Sequence, residues 1–252
     1  METLKTSSTA IRAFRILEVI AGFQEGCGMV DVARALDLPK QTTHRLIRQL
    51  EVAGFVTRLP GSKKIFLGQV VRHLSIRALT HGPAYQVRHG ILKALVEQIG
   101  ETCNLAAMVD SEVLYLDRVE TSWLLRANLG PGSRVPIHVS ASGKLLLGYL
   151  PKRRREQMIA SLNLRPLTPH TITDAKVLRD EVEEVRRKGF AINAQEHLMG
   201  VIALAVPVYY GGQVCAAIAT QAPIGRITID DLIGLLPAMR QAANSISETL
   251  GD

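Results

Sequence analysis

Across Leu36-Asp37-Leu38-Pro39-Lys40-Gln41-Thr42-Thr43-His44-Arg45-Leu46-Ile47-Arg48-Gln49-Leu50, the residues Thr43, Leu46, Ile47 and Leu50 recur at i, i+3, i+4 and i+7. That is the spacing of a helix pressed onto a core along one face. The residue before a proline is pushed out of the α region, so Leu38-Pro39 reads as a turn and a helix is expected from about Lys40. Upstream, Val30-Asp31-Val32-Ala33-Arg34-Ala35-Leu36 puts Val32, Ala33 and Leu36 on one stripe of a shorter helix. Together they predict a helix-turn-helix. Its second helix turns Lys40, Gln41, Thr42, His44, Arg45, Arg48 and Gln49 away from the core. Such side chains reach base edges and phosphates from the major groove. Paired amphipathic helices also occur in proteins that never meet DNA, so the flanking sequence has to decide.

It does so with a hairpin. Gly54-Phe55-Val56-Thr57-Arg58-Leu59, then Pro60-Gly61-Ser62-Lys63-Lys64, then Ile65-Phe66-Leu67-Gly68 reads as strand, turn and strand. Lys63 and Lys64 stand at the tip, where a wing can lay them along a phosphate backbone or a minor groove.

Charge divides the chain in the same sense. Residues 1 to 80 hold 12 Lys and Arg against 6 Asp and Glu, whereas residues 81 to 252 hold 18 against 17. A basic front and a near-neutral rear suit a DNA-binding domain joined to something else. Membrane lipid or RNA would call for an amphipathic anchor or an aromatic platform, and neither is read here. At 252 residues and 47% apolar, the chain is long enough for two compact domains. The longest apolar run, Val201 to Val208, is too short to span a bilayer, and Met1 to Thr9 has no signal-like stretch, so a cytoplasmic protein is expected. Cys27, Cys103 and Cys215 lie far apart without metal-ligand spacing, which predicts buried free thiols, no metal and no cofactor.

Ala10 to Ala21 has the helical pattern of a first helix, with Ala13, Phe14, Ile16, Leu17 and Ile20 apolar. Gln69 to Thr80, carrying Val70, Val71, Leu74, Ile76 and Leu79, reads as a connecting helix ended by His81-Gly82-Pro83. The expected division is therefore 1–68 for the winged helix-turn-helix, 69–83 for the linker helix and 84–252 for the rear domain. The rear domain opens with a helix over Tyr85 to Ile99, then strands over Thr102 to Val109, Val113 to Val119 and Trp123 to Ala127. Leu129 to Arg134 is a loop, and an apolar helix is expected over Leu145 to Leu150. Lys152-Arg153-Arg154-Arg155 opens a further helix to about Asn163, and reads as a solvated face in preference to a second DNA contact. Thr173-Asp174 caps a helix through Lys188, Phe190 to Ala194 is a short strand, and Gly211-Gly212 joins Val201 to Tyr210 with Gln213 to Ala222 as a hairpin. Thr228 to Leu250 returns to helix. Strands framed by helices predict an α+β domain with an antiparallel sheet.

Four stretches then carry a likeness: Arg12-Ala13-Phe14-Arg15-Ile16-Leu17; Leu38 to Leu46; Pro136-Ile137-His138-Val139-Ser140-Ala141-Ser142-Gly143-Lys144; and Gln195-Glu196-His197-Leu198-Met199-Gly200-Val201-Ile202-Ala203. In their order and spacing the chain resembles the IclR family of bacterial transcriptional regulators over nearly all its length. The resemblance implies an N-terminal winged helix, a linker helix and a GAF-like effector-binding domain, acting as a homodimer or homotetramer on near-palindromic operators. It also implies that backbone amides at Ser140, Ala141 and Ser142 hold an anionic group, which suits the unpaired N–H groups of a first helical turn. The other reading of those residues is an ordinary N-cap. Family members that bind small oxo-acids use an acidic residue, a cysteine and two serines; the corresponding positions here are Asn193, Ala203, Ala219 and Gln221, allowing a one-residue gap at Gly211-Gly212. With Val135 and Val201 as further walls, the pocket is expected to be roomier and more apolar. The expected effector is an organic acid larger than glyoxylate or pyruvate, such as an aromatic carboxylate or a sugar-acid breakdown product.

The alternative is a small-molecule enzyme using the same pocket. A P-loop fails around Ser142-Gly143-Lys144-Leu145, because His138 stands where the first glycine belongs and Leu145 where Ser or Thr belongs. No Gly-x-Ser-x-Gly elbow or His-Glu-x-x-His motif occurs. No catalytic residue is therefore assigned, and His138 and His197 are read as structural. Whether the regulator represses or activates, and as dimer or tetramer, stays open at this level.

Overall fold

The computed structural model describes residues 8–23, 25–58, 61–80, 82–123 and 130–251. The chain divides into two compact units, Met1–Ala78 and Leu79–Asp252.

The front unit contains α1 (Thr9–Ala21), α2 (Met29–Ala35), α3 (Lys40–Val52), an antiparallel hairpin of β1 (Val56–Arg58) and β2 (Ile65–Leu67), and most of α4 (Gln69–Thr80). Ile16, Ile20, Val32, Leu36, Leu46, Ile47, Val56 and Ile65 form its buried core. Phe14, counted with the apolar residues of the first helix, is 64% exposed and takes no part in it. Between α2 and α3 the chain turns through Asp37 at φ +48°, a left-handed conformation that aspartate tolerates better than most residues. The wing is closed at its base by glycine: a Cβ on Gly68 would lie 2.2 Å from the Gly54 carbonyl oxygen. Along α4 the side chains of Ile76 and Leu79 fall outside the described residues.

The rear unit begins with α5 (Pro83–Ile99), whose Pro83 occupies the first turn, where a missing N–H costs nothing. Then come β3 (Thr102–Val109), β4 (Glu112–Val119), β5 (Arg134–Pro136), a 3₁₀ turn at Ile137–Val139, α6 (Ala141–Tyr149), α7 (Lys152–Ser161) and α8 (Ala175–Lys188). β6 (Ala191–Ala194), β7 (Val201–Tyr210), β8 (Gln213–Pro223), α9 (Ile229–Gly234) and α10 (Leu236–Gly251) complete it. The sheet order is β5-β4-β3-β8-β7-β6, with every neighbouring pair antiparallel. α6 packs on one face, where Ala205, Ala217 and Ala219 meet Ala141, Leu145 and Leu146. Alternation turns the buried Ile202, Leu204 and Val206 the other way, toward the α10 side.

Several boundaries differ from the expected ones. α6 begins at Ala141, four residues ahead of Leu145. The expected C-terminal helix is two, because Pro237 is tolerated only in a first turn and α10 restarts just before it. Arg134–Pro136, read as loop and lead-in, is an edge strand on β4, where a proline is admissible. The strand expected over Trp123 to Ala127 lies, apart from Trp123, outside the described residues. Cys27 and Cys103 are buried, but Cys215 is exposed. No helix among the described residues is long and apolar enough to cross a membrane.

Candidate functional sites: the recognition helix and a cavity at the start of α6

On α3, burial of Thr43, Leu46 and Ile47 leaves Lys40, Gln41, His44, Arg45, Arg48 and Gln49 exposed, with Thr42 half-buried. His44, Arg45, Arg48 and Gln49 border one open depression with Val52. Among the described residues neither Arg45 nor Arg48 has an ion-pair partner, whereas Arg58 on the wing reaches Glu51 at 3.3 Å. The wing lysines differ. Lys63 is exposed, but Lys64 donates to the Glu25 carbonyl at 3.1 Å and lies 3.7 Å from its carboxylate.

In the rear unit, twelve residues line a cavity at the first turn of α6: Asn104, Tyr115, Ser140, Ala141, Ser142, Asn193, His197, Leu198, Val201, Ala203, Ala219 and Gln221. Its floor is the sheet. Strand register makes Asn193, Ala203, Gln221 and Thr102 one cross-strand row, and Ala191, Ala205, Ala219, Asn104 and Arg118 the next. Side chains in such rows share a face, so the alanines leave space that the polar residues border. Empty space out to the mouth is about 420 Å³, of which about 20 Å³ admits the centre of a water molecule. That is little more than one water's room.

The helix end is held by main chain. Ser140 caps α6, its Oγ accepting from the Gly143 N–H at 3.0 Å. The amides of Ala141 and Ser142 are left over from that first turn, where the helix dipole favours negative charge. A Cβ on Gly143 would stand 2.1 Å from the Ile137 carbonyl oxygen, so only glycine lets the 3₁₀ turn seat α6 this closely. Asn193 ties the sheet to this turn, donating from Nδ2 to the Val139 carbonyl at 2.6 Å and accepting from the Glu196 N–H at 3.1 Å.

The turn Gln195–Gly200 carries His197 and Leu198 over the cavity. Gln195 adopts φ +70°, and its side chain accepts from the Gly200 N–H at 2.8 Å. Glu196 faces inward onto Lys144, whose Nζ is 2.7 Å from Glu196 and 2.9 Å from Glu181. Burial pushes the Glu196 carboxyl above its usual range, while Lys144 works the other way. On the sheet side the end of the Gln221 amide lies 2.9 Å from both terminal nitrogens of Arg118, so its oxygen is assigned there as the acceptor. Burial lowers the pKa of His197. His138 is lowered by the same cause; it is 2% exposed, and its Nε2 lies 3.2 Å from the Arg165 carbonyl oxygen.

Eight of the nine sequence-predicted pocket residues border this one cavity: Ser140, Ala141, Ser142, Asn193, Val201, Ala203, Ala219 and Gln221. Val135 does not. Paired with Val113 on β4, it is buried in the neighbouring core with Ile137, Val139 and Leu147. Asn104, Tyr115 and Leu198 line the cavity in addition to the expected residues, as does His197, which the sequence leads one to expect as structural. The signal at Asn104 is an amide at an inward position of a strand that is otherwise apolar beyond Thr102. Arg155 also departs from its reading as part of a solvated face: it is buried, donates to the Gly148 carbonyl at 3.1 Å and pairs with Glu183.

Comparison with known proteins places both units. Residues 9–60 match the IclR helix-turn-helix domain, and residues 76–248 match the bacterial transcriptional regulator IclR C-terminal domain. The chain is similar to the probable transcriptional regulator SauR of Cupriavidus necator, at 45% identity over 97% of each chain. It is similar to the transcriptional repressor AllR of Klebsiella pneumoniae, at 32% identity over 95% of this chain and 89% of that one. Among solved structures it is similar to an IclR homologue from Microbacterium hydrocarbonoxydans complexed with 4-hydroxybenzoate, at 25% identity and a TM-score of 0.61 over 96% of this chain and 99% of that one. The chain belongs to the IclR family of transcription regulators, which are not enzymes, and joins a DNA-binding winged helix-turn-helix to an effector-binding C-terminal domain.

Proposed function

We propose that this regulator is controlled allosterically by an organic acid larger or more apolar than glyoxylate or pyruvate, bound in the cavity at the start of α6. The observation that carries the reading is the cavity's two-sided character: leftover amides of Ala141 and Ser142 at one end, and small or apolar walls from Ala203, Ala219, Val201 and Leu198 at the other. An acid group suits the first, by hydrogen bonding and by the helix dipole. A bulkier apolar body suits the second. The structural relative bound to 4-hydroxybenzoate supports this size class. In this conformation the cavity is too narrow for a benzoate, so entry displaces the turn Gln195–Gly200, on which Leu198 and Met199 are 42% and 58% exposed.

DNA contact is assigned to Lys40, Gln41, Thr42, His44, Arg45, Arg48 and Gln49 on α3, with Lys63 on the wing and Lys64 in a lesser role because of Glu25. Two copies of the chain present two recognition helices to half-sites at a fixed separation, and the bound acid shifts the population between arrangements that fit and do not fit it. Such coupling is reciprocal. The test is a fluorescence-anisotropy titration of the full chain on DNA upstream of its own gene, at fixed salt, with benzoate, 4-hydroxybenzoate, glyoxylate or pyruvate present. A specific complex altered by an aromatic acid is the expected result. Control by glyoxylate or pyruvate at lower concentration than any aromatic acid would overturn the size argument, and no specific DNA complex would overturn the placement of α3.

A further inference from the structure

One side chain on the sheet wall of the cavity has a polar atom that no described residue satisfies. Asn104 is 1% exposed, and its Oδ1 is the only fully buried side-chain oxygen or nitrogen among the described residues without a hydrogen-bond partner. Its row neighbours explain why. Ala219 on one side offers no polar group, and the Arg118 guanidinium on the other is directed to Gln221 and to Glu120 at 3.3 Å. A buried amide oxygen left unpaired is costly and rare in a folded protein. Here it sits on the wall of the cavity.

We infer that Asn104 is a ligand-contacting residue that selects acids bearing a hydroxyl, or a similar neutral O–H or N–H donor, over acids without one; this rests on the effector reading of the cavity. The acid group belongs at the Ala141 and Ser142 amides, so the opposite part of the ligand meets the sheet wall. A hydroxyl there donates to Oδ1. If the amide turns end for end, the same hydroxyl accepts from Nδ2, so either orientation is satisfied. A ketone brings only an acceptor and leaves Oδ1 without a partner unless the amide reverses. An ammonium is poorly matched, since among the described residues no Asp or Glu lines the cavity and the nearby Glu196 is engaged by Lys144. The ligand class is therefore a hydroxy-acid, not an amino acid and not a plain hydrocarbon acid. His197, which also lines the cavity, is a second polar residue there.

Isothermal titration of the full chain with matched probes tests this: benzoate against 3- and 4-hydroxybenzoate, and butyrate against 3- and 4-hydroxybutyrate. The wild type is expected to bind at least one hydroxylated member about tenfold to a hundredfold more tightly than its parent acid. In Asn104→Leu that preference disappears. The ligand-free Asn104→Leu protein also melts at a higher temperature than the wild type, because an unsatisfied polar group has gone, a result that a purely structural asparagine would reverse. Should leucine not be accommodated, Asn104→Ala removes the amide with less volume, and the loss of hydroxyl preference is read there. Equal affinity within both probe sets, or a preference that survives loss of the amide, overturns the role of Asn104 while leaving the effector reading standing. If no acid binds the wild type, both are overturned.

Discussion

The ammonium of Lys144, on the first turns of α6, lies 2.7 Å from Oε1 of Glu196 on the turn above the cavity, and both side chains are more than nine-tenths buried. Removing one partner of such a pair strands the other charge in the interior. Lys144→Met is therefore expected to cost about 3–5 kcal/mol. The loss should be smaller at pH 5 than at neutral pH, because Glu196, already raised by burial, takes up a proton once the ammonium is gone. Urea denaturation at the two pH values measures this, and an unchanged midpoint would show that the pair contributes nothing.

Gly143 and Gly90 make a matched comparison. Both are helical, but a Cβ on Gly143 would strike the Ile137 backbone, while on Gly90 it would meet nothing within 4 Å. Gly143→Ala is expected to destabilise by at least about 1–3 kcal/mol and to weaken binding of any acid at the α6 amides. Gly90→Ala should stabilise by roughly 0.5–1 kcal/mol, through the smaller entropy loss of alanine in a helix. Thermal melts of the two variants side by side decide it.

Arg45→Ala and Arg48→Ala should each weaken operator binding by about 1–3 kcal/mol where the contact is to a base. Lys63→Ala should instead lower affinity on all sequences alike and reduce the salt slope by about one. Anisotropy titrations at three salt concentrations separate the two behaviours. Wild-type affinity in both arginine variants would show that another face of α3 meets the DNA.

The lowered pKa of His138 gives stability a pH dependence. Its ordinary value is 6.5, and burial holds it lower in the folded protein. As pH falls through about 6.5 the unfolded chain takes up a proton that the folded chain refuses, so unfolding becomes easier. His197 acts in the same direction, and Glu196, raised by burial, in the opposite one. The histidine share is isolated by comparing wild type with His138→Gln between about pH 7.5 and 5.5. Relative to that variant, the wild type should lose stability toward the acid end, and parallel curves would exclude the effect.

What could be read from the residues in order depended on why each one is buried. The front unit was legible because Thr43, Leu46 and Ile47 are buried at helical period, and β7–β8 because Gly211-Gly212 marks its turn. The start of α6 was not, since Gly143 is buried for backbone approach and Lys144 for an ion pair, neither of which hydrophobic periodicity detects. Val135 was misplaced because it neighbours the cavity residues in sequence while strand alternation turns it into the adjoining core. Arg155 shows the limit of reading a charge run as one face, as a single inward residue among four changes its meaning. Asn104 lay in a stretch read only as strand, and its importance depends on a missing partner, which is a property of three dimensions.

The contact of Gly143 with Ile137 is main chain against main chain, and this divides the cavity into parts of unequal adaptability. The end at Ala141 and Ser142 is positioned by backbone atoms, so exchanging the side chains that line the cavity does not relocate it. The opposite wall consists of side chains in two cross-strand rows of the sheet, where Asn104, Ala203, Ala219 and Gln221 can each be exchanged without disturbing strand pairing. An unvarying socket therefore faces a replaceable lining. A change of ligand in this scaffold requires only a few substitutions on the sheet, and the helix that faces them can stay as it is.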